Sequence, residues 1–464
     1  MHTPRARHRI PAGMSPFVLL VLLASAGASG ADVTDEKPNI IYIMADDLGY
    51  GDLGCYGQQK IRTPNLDRMA AEGMRFTDHY SGSSVCAPSR CVLMTGLHTG
   101  HARVRANGRM PIEPEDVTVA EVLKRAGYAT GAMGKWSLGD AGTTGAATRQ
   151  GFDYFFGYLN QGAAHFYYPE SLDRNEETVT LEANRDGKRG TYSHDLLTQE
   201  ALEFIRRSAP GPFFLYVPYT IPHAEVLVPE DSLAEYRDKW PEKPFPGGHY
   251  AAQPTPRAAR AAMITRLDRD VGCILELVDE LGVDERTIVM FTSDNGPCTA
   301  GGQDPAFFES AGPLRGLKFG LYEGGIRVPM IARWPGKIPA GSVTDFASGF
   351  WDIMPTCAEL AGEQPPAGID GVSLAPTLMG KPREQAGREC LYWEHRGWQA
   401  VRFGNWKAIR TRPQRPIELY DLKSDVGEET DLAAAKPDLA AKAERYFETS
   451  RTDDPNWPLK AKGR

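Results

Sequence analysis

Asn39-Ile-Ile-Tyr-Ile-Met-Ala45, running directly into Asp46-Asp47, decides the fold. Seven residues rich in β-branched side chains, bounded by Pro38 and by two acids, read as a strand with no polar face, the kind that fills the middle of a parallel sheet. Three more runs repeat the pattern: Tyr128-Ala-Thr-Gly-Ala-Met133, Phe213-Phe-Leu-Tyr-Val-Pro-Tyr219 and Thr287-Ile-Val-Met-Phe-Thr292. Helical stretches are expected at Asn65 to Glu72, Val119 to Ala126, His194 to Arg207 and Arg257 to Leu281; in the last, Met263, Ile264, Leu267, Val271, Ile274, Leu275 and Val278 fall at helical spacing. Strands alternating with helices give an α/β fold, a large, mostly parallel sheet sandwiched by helices. Beyond Leu378 the texture changes. Glu389 to Glu394, Trp398 to Arg402, Trp406 to Thr411 and Ile417 to Leu422 are strand-like and joined by turns too short for crossover helices, which predicts a small antiparallel sheet. Leu432 to Ser450 reads as a closing helix interrupted near Lys436-Pro437. The expected organisation is a leader over 1–30, an α/β domain over 31–378 and a C-terminal subdomain over 379–464.

The composition agrees with a folded chain rich in turns: 464 residues, 24% charged, 41% hydrophobic, with 48 Gly and 35 Pro, which excludes disordered and fibrous classes. A net charge of −8 gives no general electrostatic reason to expect nucleic acid as partner. Arg5, Arg7 and Arg9 precede the apolar run Phe17 to Ala24, and small residues follow at Ala26, Ala28 and Gly30. That is the layout of a secretory signal peptide, too short to span a bilayer, and cleavage after Ala28 or Gly30 fits equally well. No Cys closely follows the run, so no stable membrane anchor is expected, and the mature chain is expected in the periplasm or outside the cell. Seven cysteines, at 55, 86, 91, 273, 298, 357 and 390, leave at least one unpaired.

In open α/β sheets the ligand crevice lies beyond the carboxyl ends of the strands. Here the four strands run into Asp46-Asp47, Lys135, His223 and Asp294-Asn295. Each residue alone has a bland reading as a cap, a turn or a solvated side chain; at four corresponding strand ends they point to one site. Three carboxylates and an amide oxygen form a hard oxygen site that suits calcium or magnesium rather than zinc. Such a site repels an anion unless a divalent ion and nearby cations reverse the field, and Arg90, Lys135 and Lys318 are the candidates. The implied substrate carries sulfate or phosphate. In Ser84-Val-Cys86-Ala-Pro-Ser-Arg90-Cys-Val-Leu-Met-Thr-Gly96, Pro88 places Cys86 at or just before a helix N-terminus, where unpaired N–H groups favour an anion and depress a thiol pKa, the alternative being a plain buried thiol.

Cys86-Ala-Pro-Ser-Arg90, followed by Leu93-Met-Thr-Gly96, resembles the signature of the type I sulfatases, in which Cys-x-Pro-Ser-Arg directs oxidation of the cysteine to formylglycine. Pro38 to Gly49, Thr63 to Asp67, Gly134-Lys-Trp136, Pro222-His223, Thr292 to Gly296, Arg315 to Lys318, Tyr322 to Pro329 and Asp370 to Leu374 resemble family landmarks in family order. The resemblance implies an alkaline-phosphatase-like core that hydrolyses sulfate monoesters. Asp46, Asp47, Asp294 and Asn295, together with residue 86, would hold calcium, and residue 86 as formylglycine hydrate would attack sulfur. Arg90 would orient the hydrate, Lys135 and Lys318 would bind sulfate oxygens, and His223 would protonate the leaving alcohol. The implied partners are a formylglycine-generating maturase and a sulfated small molecule or glycan, with a sulfated sugar favoured.

One departure stands out: where many family members have His after Gly-Lys-Trp, this chain has Ser137. That histidine helps release the enzyme-bound sulfate, so either Ser137 relays a proton through water or another imidazole fills in. His165, in Gln161-Gly-Ala-Ala-His-Phe-Tyr-Tyr-Pro169, is the candidate, its alternative being a plain loop residue. Arg105 and Asn107, in Gly100 to Gly108, are candidate substrate contacts, as are Trp393, His395 and Trp398 for stacking on a sugar, although such aromatics also pack small domains onto large ones. Rival readings are a phosphomonoester or phosphonate hydrolase of the same superfamily, and a secreted glycan-binding homologue that has lost catalysis.

Overall fold

The computed structural model describes residues 37–459; the expected signal segment lies outside them. Asn39–Ala45 is a strand buried along its whole length, paired in parallel with Phe213–Pro218 on one side and Thr287–Ser293 on the other. Ala129–Lys135 and Tyr154–Tyr158 extend the parallel block beyond Phe213–Pro218. The sheet has ten strands in all and is mixed, because Met330–Arg333 joins Thr287–Ser293 antiparallel and Ser171–Arg174 does the same to Tyr154–Tyr158.

Alternation along the first strand supplies both faces of the core. Ile40, Tyr42 and Met44 enter one apolar cluster and Ile41, Ile43 and Ala45 the other. The long helix Pro256–Glu280 and the helix Ser193–Ser208 cover the second face, Met263, Ile264, Leu267, Val271 and Ile274 packing beside Leu197, Phe204 and Ile205. Helices Cys86–Thr95 and Val119–Arg125 cover the first.

Four antiparallel strands, Leu391–His395, Trp398–Phe403, Trp406–Arg410 and Glu418–Asp421, form the small sheet. The closing helix runs over Pro437–Thr449 and packs through Ala443 and Phe447 on Val401 and Phe403. The proline expected to interrupt this helix opens it instead, since the first helical position needs no N–H. Trp393 is buried, tilted against Tyr80 and edge-on to Trp351, with its indole N–H donating to Ser81 O at 2.9 Å. It joins the two sheets, and a sugar has no access to it. All seven cysteines are unpaired.

Candidate active site

The charged residues read from the strand ends arrive together at the carboxyl edge of the central strands. Asp46-Asp47 and Asp294-Asn295 follow neighbouring strands, Lys135 ends a third, and His223 follows the cis Ile221–Pro222 bond. Gly134 has φ 143°, and a Cβ there would lie 2.0 Å from the Pro218 carbonyl oxygen, so only glycine lets the strand deliver Lys135. Asp47 takes φ 63°, and its N–H donates to Asp294 Oδ1 at 3.1 Å, which pins the two acidic corners to each other.

The helix Cys86–Thr95 starts at the same place. Its N-cap, Val85, has no side-chain acceptor to offer; instead Asn107 Oδ1 accepts from Ala87 N–H at 3.0 Å. Ser89 Oγ donates to Asp294 O at 2.6 Å, and Arg90 donates to Asp294 Oδ2 at 2.7 Å and to Lys135 O at 2.6 Å. Cys86 Sγ is left 3.3 Å from Lys318 Nζ and 3.7 Å from Asp46 Oδ1. Lys135 Nζ donates to Asp46 Oδ2 and Lys318 Nζ to Asp47 Oδ1, both at 2.6 Å, while His223 Nε2 stands 3.5 Å from Asp47 Oδ2.

Burial would raise both first carboxyls, but Lys135, His223 and Arg90 hold Asp46 well below the ordinary range, and Lys318 and His223 lower Asp47. Asp294 goes the other way, raised to about 6 by burial and by Asp46. Burial lowers His223 to about 4, against the pull of Asp47. The thiol corrects the sequence expectation. Burial, then Asp46, pushes Cys86 up to about 12, outweighing Lys135 and Lys318. A helix N-terminus favours an anion, and a fully desolvated one beside carboxylates does not obtain it.

Of the remaining candidates, the structure brings His165 to the site. Its ring stacks on His223 with centroids 4.2 Å apart and planes 20° apart, its Nε2 has no partner, and burial lowers it to about 2. Ser137 has φ 69° and a buried, unpartnered Oγ. Asn107 faces the nucleophile helix as described. Arg105 is engaged elsewhere, donating to Glu394 Oε1 at 3.1 Å and to Thr452 O at 3.0 Å beside the small sheet. The sequence reading assigns no site role to Tyr250, whose ring centroid lies 6.3 Å from His165 and 6.5 Å from His223, or to Cys298, a buried thiol whose proximity lowers Asp47. Both depend on loops meeting in space, and the only sequence signal was an aromatic pair, His249-Tyr250, in a Pro/Gly-rich stretch.

Asp46, Asp47, Cys86 and His223 offer ligand atoms all within 4.8 Å of one another. Asp47 Oδ2 and Asn295 Oδ1 are buried acceptors without a donor. Unmet buried oxygens are costly, and a hard cation is the group that satisfies several at once. The oxygen-rich donor set therefore fits calcium.

The family model described as Sulfatase matches residues 38–363, and that described as N-sulphoglucosamine sulphohydrolase, C-terminal, matches 318–445. N-acetylgalactosamine-6-sulfatase of Canis lupus familiaris is 34% identical over 84% of this chain and 74% of its own. Arylsulfatase A of Homo sapiens is 34% identical over 92% of this chain and 89% of its own. The crystal structure of Ps i-CgsB in complex with k-i-k-neocarrahexaose superposes with a TM-score of 0.78 at 27% identity, over 92% of this chain and 95% of that one. With the mixed sheet and the charged site at its carboxyl edge, these matches put the chain in the alkaline-phosphatase-like superfamily. Within it, the chain belongs to the sulfatase family, the sulfuric ester hydrolases.

Proposed function

We propose that the chain is an exported sulfatase acting on a sulfated carbohydrate, with residue 86 working as formylglycine and with calcium held by Asp46, Asp47, Asp294 and Asn295. The observation that carries this reading is the position of residue 86: at the head of its helix, 3.3 Å from the Lys318 ammonium and inside the ring of acids and cations. As a hydrated aldehyde, residue 86 supplies a hydroxyl to attack sulfur and a second through which sulfate is expelled, which a serine lacks. Calcium bound among the carboxylates would turn a repulsive site into one that attracts the ester anion.

The chain's own residues do the rest. Lys135 and Lys318 are desolvated ammoniums set where charge gathers on the sulfate oxygens, and preorganised cations act most strongly in such dry surroundings. Arg90 is fixed by Asp294 and the Lys135 carbonyl, so it orients residue 86 from within its own helix. His223 Nδ1–H donates to the Ala224 carbonyl, which fixes the ring, so Nε2 can hand a proton to the departing alkoxide only from the imidazolium form, which the bound ester anion favours. His165, stacked on His223, is the second imidazole that serves where Ser137 replaces histidine.

A carbohydrate substrate is supported by the relatives: one is an N-acetylgalactosamine-6-sulfatase, and Ps i-CgsB was crystallised with k-i-k-neocarrahexaose. Export is supported by the residues before 31, and no helix among the described residues is long and apolar enough to cross a membrane. The test is mass spectrometry of the tryptic peptide Phe76 to Arg90, from protein made alongside a formylglycine-generating maturase. Aldehyde or its hydrate at position 86 is expected. An intact thiol in protein that nonetheless hydrolyses sulfate esters would remove the formylglycine mechanism.

A further inference from the structure

Lys318 reaches the site from a tight turn whose chemistry is unusual. Gly320 N–H donates to Leu317 O at 3.2 Å, closing a four-residue turn in which Phe319 takes the third position with φ 76°. A turn with positive φ at that position is the type that calls for glycine, and a bulky side chain there is strained. The strained residue is also one of three large hydrophobics exposed among the described residues, at 54%. An apolar ring is thus held in a disfavoured backbone and shown to water, two costs that packing inside the protein does not offset.

The backbone that carries the ring is nevertheless fixed. Phe319 N–H donates to Ser84 O at 3.0 Å, two residues before Cys86, and Lys318 N–H donates to Pro297 O at 3.0 Å, just after Asn295. The turn is tied both to the nucleophile segment and to the loop that follows the acidic pair. The Lys318 ammonium, 3.3 Å from Cys86 Sγ and 2.6 Å from Asp47 Oδ1, lies 5.8 Å from the Phe319 ring centroid. Asp47 is also the neighbour of His223 Nε2. An ester whose sulfate sits among Lys318, Lys135 and residue 86 therefore has this exposed ring as a neighbour, 5.8 Å from the Lys318 ammonium that holds the sulfate.

We propose that Phe319 is the platform on which the six-membered ring of the substrate's alcohol stacks, so that it selects the leaving group while the cations select sulfate. The proposal rests on the sulfatase reading and adds a specificity-determining residue to it. A pyranose and an aryl ring share the chemistry required, a flat face rich in C–H or π surface that covers the exposed phenyl.

The test compares wild type with Phe319→Gly, using 4-nitrophenyl sulfate and N-acetylgalactosamine 6-sulfate as substrates and inorganic sulfate as a competitor with no ring. Glycine relieves the turn, so the melting temperature is expected to hold or rise. KM for the ring ester is expected to rise ~tenfold, the scale of one good aromatic contact, and the inhibition constant of inorganic sulfate to stay within about twofold. Phe319→Tyr is expected to restore KM. A KM loss confined to one ester identifies the aryl or the sugar ring as the natural occupant, and either supports the proposal. Unchanged KM for both esters overturns it, as does a parallel rise in the sulfate inhibition constant, which would mean that the turn only positions Lys318. Wild type that hydrolyses neither ester would take down the sulfatase reading and this proposal with it, an outcome distinguished by the wild-type rates alone.

Discussion

Two clusters of buried charge, similar in make-up, behave in opposite ways. Around residue 86, Asp46, Asp47 and Asp294 face Arg90, Lys135 and Lys318. Between the two sheets, Asp78, Glu323 and Glu428 face Arg327, Arg402 and Lys407. In the second cluster the carboxylate oxygens of Glu323 and Asp78 all meet donors: Lys407 at 2.8 Å, Tyr80 OH at 2.7 Å, Arg327 at 3.1 and 3.0 Å, Arg402 at 2.6 Å; Glu428 Oε2 accepts from Glu323 N–H at 2.7 Å, and its Oε1 has no hydrogen bond but lies 2.9 Å from the Lys407 ammonium. In the first, Asp47 Oδ2 and Asn295 Oδ1 meet none. Equal numbers of opposite charges do not distinguish a fastening from a site; buried acceptors with no cation in contact do, as at Asn295 Oδ1, whereas Glu428 Oε1 still has the Lys407 ammonium beside it. The closed cluster clamps the small sheet onto the segment that carries Lys318, and the open one is shaped for something the chain does not contain.

The largest effect expected from breaking this contrast is at the nucleophile. Cys86→Ala should lower turnover of 4-nitrophenyl sulfate by on the order of 10^4-fold or more, with a melting temperature within a few degrees of wild type. Half the wild-type rate would move the nucleophile to another residue. Lys407→Met should do the reverse, costing about 3–5 kcal/mol in denaturant titration because Glu323 and Glu428 lose their shared cation. The molecules still folded should keep their rate, and a collapse in kcat at constant folded fraction would show the closed cluster to be part of the site. Calcium should stabilise wild type by about 2.7 kcal/mol at a hundredfold excess over its Kd. That gain should vanish in Asp47→Asn and persist in Lys407→Met; a gain retained in Asp47→Asn would place the ion elsewhere.

His165→Ala sharpens the open side of the comparison. A drop of ~10²-fold in turnover, with stability little changed, is expected if its imidazole does proton work; undiminished turnover would return His165 to the status of a loop residue. The smallest effect concerns acid. His79, His98 and His395 belong to neither charge cluster and are lowered by burial to about 3, about 4 and about 4. Each contributes stability that is present above its unfolded value near about 6.5 and is lost as pH falls through its folded value. Melting temperature followed from pH 7 toward pH 4 should therefore decline, and His79→Gln should flatten the decline; a flat wild-type profile would contradict the assignment.

The parts legible in the sequence were those governed by local rules. The strand Asn39–Ala45 was readable to the residue because an uninterrupted apolar run ends at Pro38 and Asp46. Four catalytic-looking strand ends followed from it, since parallel strands present their carboxyl ends on one edge. Met74–Phe76 and Met330–Arg333 were not legible: segments of three or four residues, each including an arginine, are too short for a period to show and look the same in a strand, a helix or a loop. Within the site, the helix start at Cys86 could be read, but the thiol's environment could not, because burial depends on which carboxylates close over it. Asn107 on Ala87 N–H and the stack of His165 on His223 are contacts between distant loops and carry no local signature.

The separation of Lys318 from Asp47 by 271 residues, and of Asp294 from Arg90 by 204, makes the site a late product of folding. A parallel sheet whose neighbouring strands are far apart in sequence closes its largest loops before those contacts give anything back, and such topologies fold slowly. Only a stretch that spans 46 to 318 holds all these partners. Activity should therefore return on refolding only with the last global phase, in step with the full sheet rather than with the early helices, and a nick or truncation anywhere between 46 and 318 should silence the enzyme however well the pieces hold their local structure.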